Sequence, residues 1–211
     1  MLSAIAYAVM LLAHLVPFFQ FIPALPFLKY DPKDVIIAVA AFMLGPMEAL
    51  AISVVVSLIE MVTISTTGLI GLIMNVLSTA AFACSAGVIY KKRHNMRGAV
   101  IGLICGVLLM SAVMLLWNYL ISPLYMHISR EIIASFLFTG FLPFNLVKAA
   151  ANMALTLLIY KPVITALRRA HLLPPSGSSA SGKRSNSGLI LFALILLITC
   201  ILTAFVFLKL I

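Results

Sequence analysis

Apolar residues run along this chain in long blocks, each close to the length of a bilayer crossing and separated by short polar or proline-rich breaks, with no sustained strand-like alternation. The pattern predicts a first helix over 2–22 and a proline-rich connection, FIPALPFLKYDP, over 21–32. Helices follow over 33–44 and 46–64, split at Gly45-Pro46, where proline removes a backbone donor and disfavours helix at the residue before it. After a polar turn at 63–68, a fourth helix runs to 90, a fifth covers 98–121, and a sixth covers 140–160 with an extension to 170. A last apolar run, 189–208, lies beyond a Pro/Ser/Gly-rich stretch. The helix over 33–44 is too short to cross a bilayer unless flanking residues lengthen it.

Composition narrows this to an all-α integral membrane protein. With 64% hydrophobic and 9% charged residues, the chain is far from the soluble average of roughly one quarter charged. The expected organisation is a six-transmembrane-helix domain over 1–171, a flexible linker over 172–188 and one additional C-terminal transmembrane helix over 189–211. The net charge of +9 does not signal nucleic acid, because the basic residues fall in short clusters between apolar runs. Lys91, Lys92, Arg93 and Arg97 form one cluster, Lys161, Arg168 and Arg169 a second, and Lys183 and Arg184 a third. The positive-inside rule makes all three cytoplasmic, which puts the N-terminus inside and the C-terminus outside. Asp31, Asp34 and Glu131 then lie on the outer side. The first apolar run lacks a basic n-region and is expected to be a retained helix.

Against that background Lys148 needs an explanation. An ammonium at membrane depth costs about 2.5–3.5 kcal/mol by insertion scales, so it needs a partner or a wet cavity. Asn145 and Asn152, three residues before it and four after, project from the same helical face. Glu60, Asn75, Asn118, Asn145 and Lys148 all fall in the outer half of their helices, so four helices converge on one polar level. That describes a pocket open to the exterior, with the 21–32 connection as a lid. Glu60 reads either as the counter-ion of Lys148 or as a solvated group at headgroup level, the second being preferred. Trp117, Tyr119 and Phe144 flank the asparagines and can stack on a flat ring, although aromatic residues also gather at membrane interfaces. His14, His94, His127 and His171 lack metal spacing and read as solvent-facing or interfacial.

Other patterns concern packing or mislead. Gly98, Gly102 and Gly106 recur every four residues, as do Ala4 and Ala8, and such spacing lets helices approach closely in lipid. For the glycines, contact within the chain is expected. Cys84, Cys105 and Cys200 lie in apolar runs without disulfide or zinc spacing. The stretch 177–183 spells G-x-x-x-x-G-K, but Arg184 stands where a P-loop needs Ser or Thr, and no strand precedes it. No protease or hydrolase motif is present, so the chain is not expected to be an enzyme.

Several segments together resemble a known family: PFLKYDPKDV leading into a short helix with AFMLGP, the run from Gly68 to Asn75, AGVIYKK, WNYLISPLY and LPFNLVK. They look like the substrate-binding S component of an energy-coupling factor (ECF) vitamin transporter, most like the riboflavin-specific RibU type, over about residues 1–170. The resemblance implies a six-helix fold that captures riboflavin on the extracellular side of a bacterial plasma membrane, as transported ligand rather than cofactor. The expected partners are a transmembrane coupling subunit and two cytoplasmic ATPases. Asn118, Asn145 and Lys148 match motif positions that contact the isoalloxazine ring in such proteins. Asn75, Leu28, Lys29, Phe144 and Tyr125 complete the candidate binding set, and Ala4 and Ala8 the candidate docking face on the coupling subunit. Alternatives are another flat heterocycle such as a flavin analogue, pterin or pyrimidine precursor, an intramembrane enzyme using Glu60 and Lys148, or an assembly subunit without a ligand. The family pattern ends after the sixth helix, so the seventh raises the question of how it clears the docking face.

Overall fold

The computed structural model describes residues 1–15, 28–126, 128–169 and 187–210. Its described residues form α1 (Leu2–His14), α2 (Lys33–Met43), α3 (Pro46–Thr63), α4 (Gly68–Thr79), α5 (Ser85–Arg93), α6 (Met96–Met126), α7 (Arg130–Phe136), α8 (Leu142–Arg169) and α9 (Ser187–Leu210). Single π turns, Ala80–Cys84 and Leu137–Phe141, join α4 to α5 and α7 to α8, so each pair reads as one continuous rod. Five of these rods are long and apolar enough to cross a membrane: Pro46–Thr63, Gly68–Arg93, Met96–Leu124, Arg130–Tyr160 and Ser187–Leu208. The end of the expected first helix, 16–22, most of the expected lid, 21–27, and most of the expected linker, 172–186, fall outside the described residues.

Local chemistry sets the breaks. Gly45 takes φ +122, a conformation that L side chains rarely adopt, and hands over to Pro46 at the first position of α3. Gly68, at φ +56, turns the chain out of the polar Ser65–Thr67 hydroxyl pair and into α4. Two boundaries differ from expectation. The fifth predicted helix continues past 121 to Met126, because Pro123 forfeits only one hydrogen bond near the end of a long helix. The connection expected over 122–139 is largely helical, as α7 and a π turn.

The short α2 lies at the centre of the bundle, packed against α1, α3, α5 and α8, with nine of its eleven residues buried. Ala38, Ala40 and Ala41 permit this approach, and a Cβ on Gly87 would stand only 3.0 Å from that of Ala41. The Gly102 and Gly106 positions abut the backbone of the neighbouring rod, where added Cβ atoms would meet the Ala86 and Phe82 carbonyl oxygens at 2.7 and 2.6 Å. These glycines therefore serve contact within the chain. Toward the basic ends of α5 and α8, Phe42, Tyr90 and Tyr160 form a ring cluster with centroids 4.7–5.8 Å apart, and the two tyrosine hydroxyls bond to each other. The final helix, α9, lays Ala193, Cys200 and Ala204 inward and packs on α8.

Candidate functional site

A cavity of about 410 Å³ lies among α1, α3, α4, α6, α8 and the segment before α2. Lys29 and Thr66 are exposed at its rim, while Glu60, Ser78, Asn118, Phe144, Asn145 and Lys148 are buried. Its volume falls in the range of small-molecule sites. Of the sequence-derived candidates, Leu28, Lys29, Asn75, Asn118, Phe144, Asn145 and Lys148 all line it. The side chain of Tyr125 lies outside the described residues. Trp117 and Tyr119 do not line the cavity, and Tyr119 faces outward from α6.

Each lining amide is anchored by its own surroundings. Asn118 Nδ2 donates to the Met114 carbonyl at 2.7 Å, and Ser122 Oγ donates to Asn118 Oδ1 at 2.9 Å. Asn145 Nδ2 donates to the Phe141 carbonyl at 2.7 Å, and Asn75 Nδ2 donates to Glu60 Oε1 at 2.8 Å. An amide has two donors and a doubly accepting oxygen, so each retains capacity for a ligand while its rotamer is held. Asn152 shares the helical face of Asn145 and Lys148 but does a different task. It accepts from Tyr30 Oη at 2.8 Å and donates to Asp34 at 3.4 Å, fully buried and away from the cavity.

The charges are arranged differently from expectation. Glu60 is neither solvated nor the partner of Lys148. It is buried and pairs at 2.5 Å with Lys33, which also holds Asp31 at 2.6 Å. Asp31 and Asp34, expected only to lie on the outer side, are likewise buried. Burial acts to raise the Asp31 carboxyl, but the ammonium groups of Lys33 and Lys148 outweigh it and hold it below the ordinary carboxylate range. Asp34 accepts from Thr79 at 2.6 Å and faces Lys148 at 3.8 Å, beyond hydrogen-bond reach. That loose pairing leaves ammonium donors on the cavity wall. His14, expected to face solvent or the interface, also lines the cavity, with its Nδ1 buried and unpartnered. His14 is the last residue of α1, which reaches the cavity by packing against α2 and α3, and linear periodicity does not encode that packing.

Comparison with known proteins now decides the family. Residues 1–160 match the family described as "ECF transporter, substrate-specific component". The chain belongs to that family. As a substrate-specific component it is a multi-pass membrane protein and one part of an ECF transporter. It is 30% identical over 185 residues to the riboflavin transporter FmnP of Bacillus subtilis (strain 168), covering 82% of this chain and 94% of the relative. It is 29% identical over 175 residues to the riboflavin transporter RibU of Staphylococcus aureus (strain TCH60), covering 80% and 89% respectively. A solved structure described as the S component of a bacterial ECF transporter superposes with a TM-score of 0.65 at 28% identity, covering 80% of this chain and 94% of that one. Helix α9 lies beyond the family match.

Sequence reasoning missed Lys33, Asp34, His14 and Ser78 in this substrate-specific component. A signal for the first two existed: they head an otherwise wholly apolar helix, a placement that exposes few residues to water. The polar run YDPKD concealed it, because it straddles the boundary between the 21–32 connection and the helix over 33–44.

Proposed function

We propose that this substrate-specific component binds riboflavin in the cavity described above and delivers it for import across a bacterial plasma membrane. One observation carries the reading: Asn118, Asn145 and Lys148, on two helices, line one buried wall with Phe144 beside them. A flat ring whose edge carries carbonyl and ring-nitrogen acceptors next to an N–H donor complements amides and an ammonium, and Phe144 supplies an apolar face. The names of the two curated relatives support the same ligand. Asn75, Leu28 and Lys29 complete the proposed binding set.

The transport work is proposed to come from a transmembrane coupling subunit and two cytoplasmic ATPases. Ala4 and Ala8 are exposed on α1 and suit a docking face for the coupling subunit. Helix α9 packs on α8, and Ala4 and Ala8 remain exposed with it in place. The basic ends of α5 and α8 support a cytoplasmic N-terminus and, with α9 crossing once more, an extracellular C-terminus.

Protein purified in detergent tests the ligand directly. A bound yellow chromophore with flavin absorbance, or saturable quenching of added riboflavin fluorescence, is the expected result. Colourless protein that cannot be loaded with riboflavin overturns the assignment and redirects the search to other flat heterocycles.

A further inference from the structure

Hydroxyls in the helices of this protein mostly return to their own backbone. Ser85, Ser111 and Thr156 each donate to the carbonyl four residues earlier, at 2.5–2.8 Å. Among the described residues, three buried serine hydroxyls have no partner at all: Ser53, Ser57 and Ser78. Ser53 and Ser57 face the packed interior, where a small side chain serves close contact. Ser78 differs, because it lines the cavity while only 3% exposed.

Its placement is built rather than incidental. Ser78 stands one turn beyond Met74 and Asn75 on the same face of α4, and all three line the cavity wall. The next residue, Thr79, donates to Asp34, which in turn faces Lys148. This chain of contacts fixes the rotation of α4 relative to α8. A buried hydroxyl that pairs with nothing is costly, and a ligand that supplies its partner recovers that cost.

We propose that Ser78 is a specificity-determining residue that donates a hydrogen bond to an acceptor, a carbonyl oxygen or ring nitrogen, of the bound heterocycle. The inference rests on the riboflavin reading above. The hydroxyl also penalises flat apolar rings of the same size, which would leave it unpaired.

The test compares Ser78→Ala with Ser53→Ala in the full-length protein in detergent, measuring riboflavin affinity by fluorescence titration and melting temperature without ligand. Ser78→Ala is expected to weaken binding about three- to tenfold, the range a neutral hydrogen bond confers. Its ligand-free melting temperature should be unchanged or raised, since no native contact is lost. Ser53→Ala should leave affinity unchanged. Wild-type affinity in Ser78→Ala overturns the proposal, as does a loss of affinity that tracks a fall in ligand-free stability or is equalled by Ser53→Ala. Wild-type protein that binds no riboflavin overturns instead the reading on which the proposal rests.

Discussion

Two buried lysines sit in the same bundle and behave in opposite ways. Lys33 is enclosed, bonded at 2.5 and 2.6 Å to Glu60 and Asp31, and does not line the cavity. Lys148 stands on the cavity wall with one carboxylate at 3.8 Å. Both ammonium groups are removed from bulk water, but only Lys33 has its charge answered within the protein. A buried ion whose partners are complete serves the fold, whereas one left partly unanswered beside an open space is available to a ligand. The same division runs along α8, where Asn145 faces the cavity and Asn152 ties Tyr30 to Asp34.

Substitutions can break or sharpen this contrast. The largest effect is expected for Lys33→Met, which strands Glu60 and Asp31 as buried carboxylates and should cost about 3–5 kcal/mol of stability. Thermal unfolding in detergent would read this as a large drop in melting temperature or as failure to purify. Lys148→Ala should leave the fold intact and reduce riboflavin affinity about tenfold or more, in keeping with about 1.5–3 kcal/mol for a hydrogen bond to a charged group. A titration giving unchanged affinity would remove Lys148 from the site and collapse the contrast. Asn152→Ala should do the reverse of Lys148→Ala, lowering stability by about 1–3 kcal/mol through unpaired buried groups while sparing affinity in the protein that folds. The smallest effect belongs to Tyr30→Phe. Loss of its hydroxyl from Asn152 should cost about 1 kcal/mol, visible as a small melting shift with binding retained.

Membrane character, helix order and most helix bounds were legible because they are properties of single segments. Apolar length reports a crossing, and Gly45-Pro46 reports a break, without knowledge of neighbours. Lys148 was legible for the same reason: a charge inside an apolar run is improbable wherever the run packs. Its amide companions followed from helical spacing and from a shared level across the membrane. Lys33 and Asp34 escaped because they adjoin Asp31 and Pro32, where the proline-rich connection meets the predicted helix over 33–44, a boundary whose burial local sequence does not report. Their burial depends on α2 being enclosed by α1, α3, α5 and α8, a fact of assembly.

The amino-acid order by itself therefore determined that this chain enters a membrane, where its helices break and which segment carries a cation at depth. Only the tertiary structure decided that Glu60 does not answer that cation. Hydrophobic periodicity is summed along one helix, but an ion pair is a distance between two, and Glu60 could be assigned to Lys33 rather than Lys148 only once α2 and α3 were packed together.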